Sequence, residues 1–315
     1  MSSKTASSPS PSPAPGTSST SGYFAGGATP ATVSTIEKYT YATDTAGSTA
    51  TNIGFLSTGR IRLSGFGNAT DGWYGGGLTV ISTIDRIIFA SDSSNAVAKG
   101  PLSVGRSRVA ASGKTTDAWH AGGISPGPTY STVDRAIFAS DTAAAVAKGP
   151  LSSTKYGGGF SGNTTDAWYQ GGFQTATPAS ITESTVDRVI FASDTASAVT
   201  KGSLSLARYQ LNSYDDNSTY AWATGGFAGS PATARSTVDR ITFSTDTAAA
   251  VAKGPLIAIS TGHSSVNNTT DAWVAGGLTP AITSATQRSI FSTDTAALVA
   301  KGAMTKTTRD HAGSP

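Results

Sequence analysis

The side chains that could do chemistry in this 315-residue sequence are few: 19 Asp and Glu, three histidines and no cysteine. Without cysteine there is neither a disulfide framework nor a thiolate metal site. His120, His263 and His311 read as belonging to different repeats and different repeat positions, and no pair has the spacing of a zinc site. An acid–base dipeptide recurs as Glu37-Lys38, Asp85-Arg86, Asp134-Arg135, Asp187-Arg188 and Asp239-Arg240, with Gln287-Arg288 as a sixth member. One reading is a ring of carboxylates around a channel. The preferred reading is a structural bridge built into each repeat. Neighbouring strand residues point to opposite faces, and active sites are asymmetric sets of distinct groups. A second acidic series, Asp44, Asp92, Asp141, Asp194, Asp246 and Asp294, precedes Thr or Ser. It lacks the Asp-x-Asp-x-Asp spacing of a calcium loop and is expected to cap turns. Gly123-Ile124-Ser125-Pro126-Gly127 spells Gly-x-Ser-x-Gly, but it falls in the connection between two strands and not between a strand and a helix, so it is no nucleophile elbow, and no phosphate loop occurs. Glu183 is the only glutamate besides Glu37, and no asymmetric carboxylate pair suggests glycoside hydrolysis. The expectation is no catalytic residue, no metal and no cofactor, so not an enzyme.

A repeat positions these residues. An aromatic residue followed by a glycine doublet occurs at Tyr23 to Gly27 and then after Trp73, Trp119, Trp168, Trp222 and Trp273. The last glycine of each copy falls at 27, 77, 123, 172, 226 and 277, so the steps are 50, 46, 49, 54 and 51 residues. Within the third copy, Ser107 to Ser112 reads as strand a, Asp117 to Gly122 as strand b, Ser131 to Phe138 as strand c, and Ala143 to Ala147 begins strand d. Short strands with Gly, Asn and Asp turns at this spacing indicate an all-β repeat array. The predicted fold is a six-bladed β-propeller of four-stranded antiparallel blades over residues 22–315. The first copy lacks a strand a, while Thr307 to Gly313 resembles one. The C-terminal strand is therefore expected to complete the N-terminal blade and remove two free sheet edges. The tryptophans, with Tyr41, Phe89, Phe138, Phe191, Phe243 and Phe291 of strand c, are assigned to the core between blades. Asp85, Asp134, Asp187 and Asp239 are assigned to structural bridges.

Residues 1–21, MSSKTASSPSPSPAPGTSSTS, cannot bury enough apolar surface to offset ordering and read either as a flexible leader or as an extended arm that orders against a partner, the arm being the reading carried forward. They lack the apolar core of a secretory signal. No apolar run approaches a membrane span. The formal charge of +3 comes with no basic cluster of the kind a nucleic-acid site needs.

The arginine before strand a, Gly-Gly after strand b and an acid in strand c resemble the kelch repeat, although strand d has Ala and Val where kelch blades carry Trp. The phrase Ser-Thr-Val-Asp-Arg-x-Ile-Phe-Ala-Ser-Asp-Thr-Ala-x-Ala-Val-x-Lys-Gly, close to the sequence at 82–100, 131–149 and 184–202, resembles structural proteins of tailed phages, notably those of cyanobacteria. That resemblance implies a virion protein, as a tail appendage or capsid decoration. Residues 1–21 would attach it to other virion proteins in a symmetric assembly, and the disc would meet a host-surface glycan or protein. The alternative is a free lectin-like propeller.

The copies differ most between the doublet and strand c. That connection is Leu78 to Ile81 in the second copy, Ile124 to Tyr130 in the third, Phe173 to Glu183 in the fourth and Phe227 to Arg235 in the fifth. Variation confined to one face of a repeat array is what a binding surface looks like. Tyr130, Phe173, Gln174, Phe227 and Arg235 are the candidate binding residues on this b–c face.

Overall fold

The computed structural model describes residues 20–29, 31–45, 50–78, 80–91, 94–175 and 179–314. The predicted arm lies outside these except for Thr20 and Ser21, and Ser21 already belongs to the first strand, so the disc begins one residue earlier than expected.

Six antiparallel sheets, each ordered a-b-c-d, form a six-bladed β-propeller. Blade 1 consists of Ala312–Ser314, Ser21–Ala25, Thr35–Thr40 and Thr51–Phe55. Blade 2 has Ser64–Gly67, Asp71–Gly75, Ile84–Ile88 and Val97–Ala98. Blade 3 has Ala110–Gly113, Asp117–Ala121, Val133–Ile137 and Val146–Lys148. Blade 4 has Gly159–Gly162, Asp166–Gln174, Ile181–Ile190 and Val199–Thr200. Blade 5 has Asn212–Asp215, Tyr220–Thr224, Val238–Thr242 and Val251–Ala252. Blade 6 has Ser264–Asn267, Asp271–Ala275, Thr286–Ile290 and Val299–Lys301. The a strands neighbour one another around the axis, and the C-terminal one lies between those of blades 6 and 2. It closes the ring through Tyr23↔Ser314, Phe24↔Gly313 and Ala25↔Ala312. Among the described residues helix is limited to single 3-10 turns after strand c, such as Phe138–Ser140, and no helix is long and apolar enough to cross a membrane.

The doublets join each blade to the next. Both glycines have positive φ in every copy. The second donates its N–H to the carbonyl of Arg60, Arg106, Lys155, Arg208, Ser260 or Thr308 of the next blade, at 2.8 to 3.0 Å. A Cβ on the first would meet that same oxygen at 2.5 to 2.7 Å. Glycine is thus required twice over, by backbone angle and by close approach.

Aromatic pairs fill the seams. Trp73 stacks on Phe138 at 3.7 Å, Trp168 on Phe243 at 4.0 Å, and Trp273 on Tyr41 at 3.9 Å across the closing seam. Trp119 stacks on Phe191 and Trp222 on Phe291. Burying each such ring contributes on the order of 1.5–3 kcal/mol.

The acidic series divide between two tasks. Asp85, Asp134, Asp187 and Asp239 are fully buried and pair with Arg60, Arg106, Lys155 and Arg208, the cation before strand a of their own blade, at 2.6, 3.2, 2.9 and 2.7 Å. Each also accepts the N–H and hydroxyl of a serine in the d–a connection, as Ser103 does on Asp134. Satisfying the remaining lone pairs is what makes a buried pair tolerable. Blade 6 has neutral groups at both positions, Ser260 for the cation and Gln287 for the acid. Blade 1 has Thr308 and Glu37, and burial raises the pKa of that glutamate above its usual value against the hydrogen bonds from Thr305.

The turn acids tie neighbouring blades together. Asp141, Asp194, Asp246, Asp294 and Asp44 each receive an arginine and a lysine of the preceding blade: Arg86 and Lys99, Arg135 and Lys148, Arg188 and Lys201, Arg240 and Lys253, Arg288 and Lys301. Trp168, Trp222 and Trp273 add their indole N–H to Asp246, Asp294 and Asp44 at 2.9, 3.0 and 2.8 Å. Turn capping is therefore replaced by clamping between blades. Asp92 lies outside the described residues.

Candidate functional site

Strand a begins later than the sequence suggests because the chain before it turns across the axis. The turning residue is Arg62, Arg108, Gly157, Gln210, Gly262 or Asp310, two positions after the buried cation or its substitute, and all six have φ between 52° and 66°. Their backbones bond around the axis: N–H to C=O from Arg62 to Asp310 at 2.7 Å, Arg108 to Arg62 at 2.7 Å, Gly157 to Arg108 at 3.2 Å, Gly262 to Gln210 at 3.3 Å and Asp310 to Gly262 at 2.6 Å. This rim borders an axial cavity of about 130 Å³, walled by the a strands and including His263 and His311.

The left-handed angle favours glycine, and a side chain there costs roughly 1 kcal/mol or more. Only two of the six positions are glycine. The other four carry two arginines, a glutamine and an aspartate, an asymmetric set in an otherwise repetitive ring. Asp310 is shared between Arg62 at 3.7 Å and Arg309 at 3.5 Å. Arg108 packs over the Tyr156 ring at 5.0 Å. With its amide oxygen turned toward Arg108, Gln210 accepts from both guanidinium nitrogens at 2.7 and 3.2 Å and donates to Thr261 Oγ1 at 3.2 Å. Burial, followed by the charge of Arg62, lowers the pKa of Arg108, so the two cations act on each other.

The b–c loops border this mouth. Bridges Ser107↔Ile124, Tyr156↔Phe173, Tyr209↔Phe227 and Thr261↔Leu278 tie the base of each loop to the residue preceding the turn. Through them Phe173 and Phe227 join an arc of rings: Tyr156–Phe173 at 5.6 Å, Phe173–Tyr209 at 4.9 Å and Tyr209–Phe227 at 5.6 Å. Phe173, Tyr209 and Phe227 are each partly exposed. Strands b and c of blade 4 run on past the doublet, with a bulge between Gln170 and Gly172, and carry Gln174 opposite Ile181.

The structure thus brings Phe173 and Phe227 together and gives Tyr130 and Arg235 a different role. Their carbonyls accept the N–H of Lys155 and Ser260 of the next blade at 3.1 and 3.0 Å, and their own N–H groups close the loop on Gly123 and Gly226. The Tyr130 hydroxyl folds back onto Ser125 Oγ at 3.1 Å. Sequence reasoning missed Arg62, Arg108, Gln210, Asp310, Tyr156 and Tyr209. The available signal was one column, two residues after the Arg or Lys, in which glycine alternates with long polar side chains.

The histidines are core. His263 and His311 occupy the same repeat position, contrary to the sequence reading, and each packs on the doublet of the blade before it. His120 Nδ1 meets Ser64 Oγ at 2.9 Å and His263 Nε2 meets Thr224 Oγ1 at 2.9 Å. Burial lowers His120, His263 and His311 to about 3, 4 and 3, so all are neutral at ordinary pH. Among the described residues no three His, Asp or Glu converge in a metal-holding group. At the opposite end of the axis Asp215 accepts the N–H of Gly162 and of Asn217, and burial pushes its pKa up to about 7.

No protein-family model matches the chain, and a search of curated proteins returns no match.

Proposed function

We propose that this propeller is a non-enzymatic structural protein of a tailed-phage particle, attached through residues 1–21 and presenting its b–c face to the host surface. The virion assignment rests on the phrase repeated at 82–100, 131–149 and 184–202. One observation carries the working face. Six equivalent backbone positions that favour glycine surround the axis, and four of them hold a non-repeating polar set beside an arc of half-buried rings. Strain kept at several positions around one opening points to use of that opening. The non-enzymatic reading is supported by the carboxylates, since Asp85, Asp134, Asp187 and Asp239 of strand c and the five described turn acids are engaged in ion pairs within and between blades.

The test uses particles carrying Phe173→Ala with Phe227→Ala, and others carrying Val146→Ser with Val199→Ser at the outer rim, where both valines are about half exposed. Adsorption to host cells is expected to fall for the first pair alone, with both variants incorporated normally. Equal adsorption by the two would overturn the working face. Normal incorporation of a chain lacking residues 1–21 would overturn the arm.

A further inference from the structure

A groove of about 450 Å³ opens between blades 2 and 3 beside the axial mouth, lined by Arg62, Leu78, Val80, Ser107, Arg108, Ile124, Ser125 and Pro126. Its size lies within the range of small-molecule sites, which are mostly apolar with a few fixed polar groups. Leu78, Val80, Ile124 and Pro126 supply aliphatic surface. Arg62 and Arg108 line both this groove and the axial cavity. We propose that the groove binds a small amphiphilic carboxylate, with its anionic head on the two guanidinium groups and its hydrocarbon body on the aliphatic wall.

Charge and backbone angle support this independently, and the contacts that hold Arg108 add preorganisation. The Arg62 Nε is buried without a hydrogen-bond partner, and its acid Asp310 stands off at 3.7 Å and is shared with Arg309. Arg108 is held by a neutral amide and a ring face and, among the described residues, forms no ion pair; Asp310 acts on it only at longer range. Arginine pairs present planar donors that match a carboxylate. Among the described residues six non-glycine residues have positive φ, and three of them, Arg62, Val80 and Arg108, line this one groove. Val80 at φ 63° is the rarer case, because a branched Cβ is poorly accommodated there. The cation–π contact to Tyr156 and the bond to Gln210 fix Arg108 before any ligand arrives, which lowers the ordering cost of binding.

Octanoate, octanol and octylamine differ in the head group alone and serve as probes for isothermal titration with the full chain. Octanoate is expected to saturate a single site, octanol to bind at least tenfold more weakly and octylamine not at all. Arg62→Gly and Arg108→Gly put at these positions the residue found at 157 and 262. Both are expected to keep or raise the melting temperature while losing at least tenfold in octanoate affinity. Arg108→Gln serves the same purpose should a glycine variant fail to fold. Equal binding of octanoate and octanol would overturn the proposal by reducing the groove to an apolar patch. Unchanged affinity in the arginine variants, or no saturable octanoate binding, would overturn it as well.

Discussion

Gln287→Glu isolates the rule that matches buried charges in this ring. Gln287 and Ser260 are 9% and 1% exposed and stand where blades 2 to 5 bury an acid and its cation. The Gln287 Oε1 accepts the Ile257 N–H at 2.7 Å, a bond that a carboxyl of the same shape can keep. The substitution therefore adds charge with little change of volume and no counter-ion. Protonation is the protein's escape, and it caps the penalty. At pH 7 the cap is about 1.36 kcal/mol for each pH unit above an ordinary glutamate pKa of about 4.3, roughly 3.7 kcal/mol. The folded pKa of the introduced carboxyl is raised, so the variant should equal the parent below about pH 4 and fall behind as pH rises. Urea unfolding followed by tryptophan fluorescence at pH 4, 5.5 and 7 reads this directly. Ser260→Arg in the same background should recover most of the deficit at pH 7. A loss that does not vary with pH, a deficit at pH 7 below about 0.5 kcal/mol, or no recovery by the arginine would refute the reasoning.

Asp44→Ala removes the acceptor of Trp273, Arg288 and Lys301 across the closing seam, and Asp246→Ala removes its counterpart inside the ring. Each should cost about 2–4 kcal/mol in urea unfolding, mostly from the stranded indole N–H, because the two cations are part-exposed. A cost at Asp44 far below that at Asp246 would mean the ring opens readily at its ends. Asp215→Asn should gain on the parent as pH climbs from 4 to 7, since a folded pKa raised to about 7 means stability lost over that window, and the gain should then level off. A difference constant with pH in thermal melts would contradict the assigned titration. Deleting residues 307–315 removes strand a of blade 1 and should lower the melting temperature sharply. An unchanged melt would show that the closing strand contributes little.

The architecture was legible because its signals are local and repeated. The doublet, the strand c phrase and the headless first copy each occupy a few consecutive residues, and together they imply the closed ring. The turn acids were misjudged for the opposite reason. The partners of Asp141 are Arg86, more than one full period back, and Lys99, slightly less than one, so no local pattern connects them. The mouth was missed because its residues precede strand a, where the sequence suggests ordinary alternation, and a left-handed angle leaves no mark when the residue is not glycine. Tyr130 and Arg235 were chosen for their side chains, whereas the structure uses their backbone atoms. Phe173 and Phe227 were found by loop length, yet the Tyr209 that joins them lies in a connection of ordinary length.

The pairing of Tyr23 with Ser314 has a directional consequence. Strand a of blade 1 runs away from the arginine-bearing mouth, and strand b beside it runs back toward that mouth. Residues 20 and 314 therefore both lie at the far side of the disc. A tether continuing upstream of Thr20 would pull from behind, and a disc held that way would turn its opening outward without any further device to orient it.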